Sequence, residues 1–296
     1  MSSAPAYTRS LAGTGLPRAE VERIVATALA EDLPWGDLTT DNLLSSGIPA
    51  TGAIEAREAG VLAGLPVAAL AFEMVDAGVE FESLVADGGR LQPGQVVARI
   101  RGQIVSLLKA ERVALNFLQR LSGIATQADR YVQAVAGLKA RIVDTRKTTP
   151  GLRLLEKYAV RVGGAGNHRY CLSDGVLVKD NHLAALRREG LGLKEALARL
   201  RARVPHTVKL EVEVESLEGV AEALAAGADA ILLDNMSPSA MAEAVRLVNG
   251  RALLEASGGI TLQSVRAVAE AGVDLISIGA LTHSAKALDL ALEIES

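Results

Sequence analysis

Four short apolar runs in the second half of the chain end at near-equal intervals, on Glu213, Asp234, Glu255 and Ser277. The steps are 21, 21 and 22 residues. Between the runs, residues 217–226, 238–248 and 262–271 carry apolar side chains at helical spacing. Strands joined by helical crossovers of this length run parallel. Ser216, Ser237 and Thr261 stand where N-caps belong, and Pro238 falls at a first helical position. "ARIVDT" and "GVLVKDN" extend the series upstream. A (β/α) barrel accounts for the rhythm better than an open sheet, because the chain has no Rossmann glycine turn and no P-loop. In such a barrel function gathers where the strands end.

The first half has a different texture. Residues 16–29 read as a helix entered through Pro17, residues 66–76 as a second, and residues 107–121 as a longer one carrying Lys109, Glu111 and Arg112. Between 52 and 105 the signals are short and strand-like, broken by glycines. "DGGRLQPGQVVARI" reads as a twisted hairpin. It faintly resembles the hairpins of lipoyl and biotinyl carriers but has no lysine at its tip, so a structural hairpin is expected. Trp35 is assigned to packing.

Composition limits what such a fold does. Apolar residues make up 49% of the chain and aromatics only 3%, which suits an aliphatic α/β core. The formal charge of −4 disfavours nucleic acid and anionic membrane as partners. A single cysteine, Cys171, excludes an internal disulfide and has no base beside it in sequence. No apolar run approaches the roughly 20 residues of a membrane span, and "MSSAPAYTRS" lacks an apolar signal core, so a cytoplasmic protein is expected.

Against that acidic background, residues 139–182 hold nine basic side chains and four acidic ones. The strand ends deliver Asp144-Thr145-Arg146-Lys147, Lys179-Asp180-Asn181-His182, Glu213, Asp234-Asn235, Glu255 with Ser257-Gly258-Gly259, and Ser277-Ile278-Gly279-Ala280 to one rim. On "VKLEVEVE", period-two alternation puts Lys209, Glu211, Glu213 and Glu215 on the face that looks into the barrel. Charges there must be paired, lysine with glutamate or glutamate with a cation. Ser257-Gly258-Gly259 and Ile278-Gly279-Ala280 suit either a phosphate cradle or simple tight turns. Arg146, Lys147, His168, Arg169 and Lys179 form a cationic side, and Glu213 with Asp234 an acidic one. Carboxylates near phosphate imply Mg²⁺. The expected ligands are a small polyanion and a magnesium-bound phosphate ester. Basic residues of "GLRLLEKYAVR" are expected to face solvent or a partner, His182 to take a supporting part, and His206 and His283 none.

"DTRKTTPGLRLLEKYAVRVGGAGNHR", followed by "LVKDNH", "EVEVES", "LLDN", "EASGGI" and "SIGALTHS", resembles the quinolinate phosphoribosyltransferase family. So do "EDLPWGDLTT" and "LLKAERVALNFLQRLSGIAT", so the likeness spans nearly the whole chain. The resemblance implies an α/β fold: an N-terminal α/β sandwich domain over 1–120, completed by 281–296, and an atypical (β/α) barrel over 121–280. It implies a homodimer with a shared site, compatible with hexamers. Arg146 would bind quinolinate, with Lys147, His168, Arg169 and Lys179 completing the pocket and Arg112 arriving from the neighbouring subunit. Glu213 and Asp234 would serve the ribose hydroxyls and Mg²⁺ of phosphoribosyl pyrophosphate. Ser257, Gly258, Gly259, Ile278, Gly279 and Ala280 would cradle its 5-phosphate. Lys147, Lys179, Glu213 and Asp234 would be the catalytic set, and nicotinate mononucleotide, pyrophosphate and CO2 the products of this step in NAD biosynthesis. A phosphoribosyltransferase-like protein associated with molybdate transport shares these motifs, and a non-catalytic anion-binding barrel is the rival of another class.

Overall fold

A computed structural model of the protein describes residue 11 and residues 13–45 and 47–295. In chain order the elements are α1 (Arg18–Asp32), α2 (Thr40–Leu43), β1 (Pro49–Ala56), β2 (Gly60–Val61), α3 (Leu65–Val75), β3 (Glu80–Ser83), β4 (Arg90–Leu91), β5 (Val96–Gln103) and α4 (Ile104–Ala134). There follow β6 (Arg141–Val143), α5 (Arg153–Val162), β7 (Val176–Val178), α6 (Asp180–Arg188), α7 (Leu193–Arg201), β8 (Leu210–Val214) and α8 (Leu217–Ala225). The chain ends with β9 (Ala230–Asp234), α9 (Pro238–Val248), β10 (Leu253–Ser257), α10 (Val265–Glu270), β11 (Leu275–Ser277), α11 (Ala280–His283) and β12 (Leu290–Glu295). They divide into two compact units. The first takes the chain up to Asp129, Thr148–Gly164 and the segment from Thr282 onward; the second takes Arg130–Lys147 and Ala165–Leu281.

The first unit is built on an antiparallel sheet of order β12-β1-β5-β3. The C-terminal strand β12 pairs along β1, with Ile54 opposite Leu292. Ile54, Val97, Ile100, Phe72 of α3 and Leu107 and Leu118 of α4 are buried in its aliphatic core. The expected hairpin over 87–100 does not form. β4 pairs with β2, while β5 pairs with β1 and β3, so the Pro93-Gly94 turn carries the chain from one sheet to another. α4 is also longer than the pattern predicts, 31 residues. Gly123 looks like a breaker but permits a close approach: a Cβ there would lie 2.0 Å from the Lys286 carbonyl oxygen. Lys157 of α5 is fully buried, not solvent-facing as the sequence suggests. Its neighbour Glu156, also fully buried, accepts from Arg120 Nη2 at 2.7 Å and Thr149 Oγ1 at 2.7 Å. Trp35 is 94% exposed and so is not core packing.

The second unit is a six-stranded parallel sheet of order β6-β11-β10-β9-β8-β7. Its end strands β6 and β7 do not pair with each other. Gly166 bridges to Val143 instead, its N–H donating to the Ile142 carbonyl and its carbonyl accepting from Asp144 N–H. That edge contact sets where the loop after Gly166 begins. The alternation on β8 is as expected for Leu210 and Val212, fully buried toward the helices, and for inward Glu211 and Glu213. Lys209 and Glu215 lie just outside the strand and are exposed, so they take no part in the interior. Ser216 and Ser237 cap α8 and α9 through Gly219 N–H and Ala240 N–H. Thr261 and Ser264 instead bond each other in a turn, and α10 starts three residues later than the pattern implies.

Candidate active site

A cavity of about 550 Å³ lies at the C-terminal ends of the second unit's strands. Its lining includes Arg146, Lys147, His168, Arg169, Lys179, Glu213, Asp234, Ser257, Gly258 and Gly259. Sequence reasoning had named each of these. Short strands deliver them: Arg146 and Lys147 come three and four residues after β6, Lys179 follows β7, Glu213 lies in β8, Asp234 ends β9 and Ser257 ends β10. Parallel register sets Ser257 beside Asp234. Arg112 belongs to the first unit, with its side chain 59% exposed and 3.7 Å from Glu111. Ile278 donates its N–H to the Val143 carbonyl, so this amide serves the sheet rather than a cradle. Ser277, not Ile278, Gly279 or Ala280, lines the cavity from β11.

The acidic side is tightly organised. Lys179 Nζ lies 2.5 Å from Glu213 Oε2. Lys179 also donates its N–H to His182 Nδ1 at 2.9 Å, so His182 fixes the start of α6. Asn235, at φ 54, donates from Nδ2 to Asp234 Oδ2 at 3.1 Å. Gly258 and Gly259 have φ of 90 and 60, and a Cβ on Gly258 would come within 2.3 Å of Asn235 Oδ1. Only glycine fits where this turn closes against Asn235.

The cationic loop is held by an acid the motif reading passed over. Asp144, fully buried, accepts from His168 N–H at 2.8 Å and from Asn167 Nδ2 at 2.8 Å. It thereby joins the Arg146-Lys147 turn to the His168-Arg169 loop. Arg169 Nη1 donates to the Gly175 carbonyl at 3.1 Å. Burial, and then the nearby Arg146 guanidinium, lower the Arg169 pKa, while Glu211 and Glu213 oppose this.

His168 faces inward. Its Nε2 lies 3.3 Å from Glu211 Oε2 and 3.3 Å from Glu255 Oε2. Glu255 is 1% exposed and its Oε1 has no hydrogen-bond partner among the described residues. Burial raises the Glu211 pKa. The two carboxylates, Glu211 foremost, push His168 up to about 10. A second ring proton, however, would occupy Nδ1, which already accepts Arg169 N–H at 2.8 Å. That contact opposes a second proton and fits the tautomer with its proton on Nε2, between two carboxylates. The trio has the spacing of a metal-ligand set, but a protonated Nε2 offers no lone pair to a cation. Glu211 and Glu255 were visible as inward strand residues; their meeting with His168 was not, because 43 residues separate His168 from Glu211.

Models of two domains match this chain: the quinolinate phosphoribosyl transferase N-terminal domain over 37–122 and its C-terminal domain over 124–293. A probable nicotinate-nucleotide pyrophosphorylase [carboxylating] of Synechocystis is 46% identical, over 90% of each chain. The nicotinate-nucleotide pyrophosphorylase [carboxylating] of Mycobacterium leprae is 45% identical, over 91% of this chain and 95% of that one. The crystal structure of NadC from Streptococcus pyogenes superposes with a TM-score of 0.89 at 44% identity, covering 95% of this chain and 99% of that one.

Proposed function

The chain belongs to the quinolinate phosphoribosyl transferase family, and we propose that its second-unit cavity joins quinolinate to the ribosyl carbon of phosphoribosyl pyrophosphate. It is a phosphoribosyltransferase of pyridine nucleotide synthesis; nicotinate mononucleotide, pyrophosphate and CO2 are its products. The observation that carries the assignment is the convergence in one cavity of four cationic side chains, three carboxylates and a two-glycine turn.

Arg146 and Arg169 suit the two planar carboxylates of quinolinate, which a guanidinium meets through two parallel N–H donors. Lys147 and Lys179 add point charge beside the 2-carboxylate. Glu213 and Asp234 accept from the ribose hydroxyls. Backbone amides of Gly258 and Gly259 approach the 5-phosphate, which a side chain would hold off. No residue need form a covalent intermediate; orientation and electrostatics carry the displacement at the ribosyl carbon. Once the ring nitrogen is glycosylated, the pyridinium withdraws electrons and the 2-carboxylate leaves as CO2. Lys147 and Lys179 then stabilise the electron pair left at that carbon until it is protonated. The donor set fits Mg²⁺: Glu213 and Asp234 present hard oxygens and no thiol or thioether lines the cavity. Bound there with the pyrophosphate, Mg²⁺ would neutralise charge on the leaving group.

The partner is a second copy of the chain. Trp35, Leu38 and Leu43 are 94%, 84% and 75% exposed, a patch that suits burial in an interface. Asp41, in the same segment, pairs with Lys109 Nζ at 2.5 Å. Arg112 lies one turn beyond Lys109 on α4, on the same face. An interface formed there carries Arg112 into the other subunit's cavity. The protein works in the cytoplasm; no helix among the described residues is long and apolar enough to cross a membrane. The test is release of CO2 from carboxyl-labelled quinolinate with phosphoribosyl pyrophosphate and Mg²⁺. Absence of release, or equal turnover of nicotinate, overturns the assignment. Mixing Arg112→Ala with Lys147→Ala subunits restores part of the activity if the site is shared; no recovery removes the shared site.

A further inference from the structure

Two buried glutamates meet His168, Glu255 in the cavity lining and Glu211 beside it, and the reaction as described uses neither. Glu255 is 1% exposed and Glu211 9%. Burying carboxylates is costly, and apolar residues of similar volume would be cheaper to fold. The geometry around them is specific. His168 Nε2 sits 3.3 Å from each, and His168 Nδ1 accepts the N–H of Arg169. The His168 N–H goes to Asp144.

We propose that Glu211 and Glu255 are positioning residues for the quinolinate half of the site, acting through the His168 ring on the backbone and guanidinium of Arg169. The inference rests on the functional reading above. A half-turn of the ring would bring carbon against both carboxylates and against Arg169 N–H, so the pair of glutamates selects one ring orientation. That orientation supplies the acceptor for Arg169 N–H and fixes the peptide from which the Arg169 side chain departs. Glu211 has a second effect on the same residue. The Arg146 guanidinium is close enough to disfavour the charge on Arg169, and Glu211, with Glu213, opposes that repulsion. His168 is then a strut between acid and arginine, and its ring need not meet the dicarboxylate.

The test compares Glu255→Gln and Glu255→Met with the wild-type full-length enzyme, assayed with quinolinate, phosphoribosyl pyrophosphate and Mg²⁺. KM for quinolinate should rise at least about tenfold, the order expected from one lost hydrogen bond to a charged group. KM for phosphoribosyl pyrophosphate should stay within about twofold of wild type. Glu255→Met should melt no lower than wild type, since it replaces a buried charge by an apolar side chain. A structural role alone would lower the melting temperature and move both KM values together. ¹⁵N-histidine NMR of the wild type provides a second measurement that needs no variant: His168 should show a protonated Nε2 and an unprotonated Nδ1. A proton on Nδ1 overturns the proposal, and so does an unmoved quinolinate KM in a folded variant. Wild-type protein that turns over neither substrate removes the functional reading instead.

Discussion

Asp144→Ala is the substitution whose consequence the structure specifies most closely. The carboxylate is fully buried and accepts two hydrogen bonds of 2.8 Å, from His168 N–H and Asn167 Nδ2. Hydrogen bonds to an ionised group contribute about 1.5–3 kcal/mol each. Removing both costs about 3–6 kcal/mol if the two donors stay dry, and about 3 kcal/mol once water reaches the shortened side chain. The β6 edge should survive, because the Asp144 N–H to Gly166 carbonyl contact is made by backbone. The loss therefore falls on the loop that presents His168 and Arg169. A loop destabilised by about 3 kcal/mol raises the quinolinate KM by up to about 100-fold, at 1.4 kcal/mol per tenfold. The melting temperature of the second unit should fall by about 6–12 °C, from roughly 2–4 °C per kcal/mol in a unit of this size. Asp144→Asn keeps one acceptor and should fall between wild type and alanine on both scales. Steady-state kinetics with each substrate varied in turn, beside calorimetric melting, provide the comparison. An alanine variant that melts within 1 °C of wild type with an unchanged quinolinate KM would refute the reasoning.

Other consequences follow from single contacts. Gly258→Ala places a Cβ 2.3 Å from Asn235 Oδ1 at a φ of 90, so KM for phosphoribosyl pyrophosphate should rise at least about tenfold with little change for quinolinate, read by the same kinetics. Asp87→Ala removes the acceptor for Gly64 N–H, Leu65 N–H and the Tyr158 hydroxyl, and calorimetry should register a loss of about 2–4 kcal/mol from the first unit with the cavity's KM values unchanged. Lys147→Ala should abolish turnover while leaving the melting curve unchanged, since the side chain is exposed to the cavity; full activity in a folded variant removes Lys147 from the chemistry. If the proposed dimer forms through the exposed Trp35, Leu38 and Leu43 patch, Leu38→Glu should leave a monomer in sedimentation equilibrium, because it charges that patch.

Periodicity carried the second unit. Strand ends spaced at 21, 21 and 22 residues, with Ser216 and Ser237 as caps, are local properties, so β8, β9 and β10 and their helices could be read directly. The polar groups at those ends could be named for the same reason, since alternation along one strand decides which side chains face inward. Pairing partners are not local. β4 and β5 look like a hairpin because they adjoin in sequence, yet each finds its hydrogen bonds in a different strand. The helix read over 107–121 runs on through Gly123, whose partner, the Lys286 carbonyl, lies over 160 residues away.

The site divides along the same line. Residue type and strand position alone picked out Arg146, Lys147, Lys179, Glu213, Asp234 and the Ser257-Gly258-Gly259 turn as cavity-lining residues, because each lies within a few residues of a strand's C-terminal end. Composition and charge likewise located the excess of basic residues in 139–182 of an otherwise acidic chain. Only tertiary structure could decide what each charge faces. It set the His168 ring against Glu211 and Glu255, set Asp144 against the loop, and gave the Ile278 amide to Val143. The physical reason is that a charge's role depends on its neighbours within a few ångströms, and here those neighbours come from strands and loops that only the folded sheet brings together.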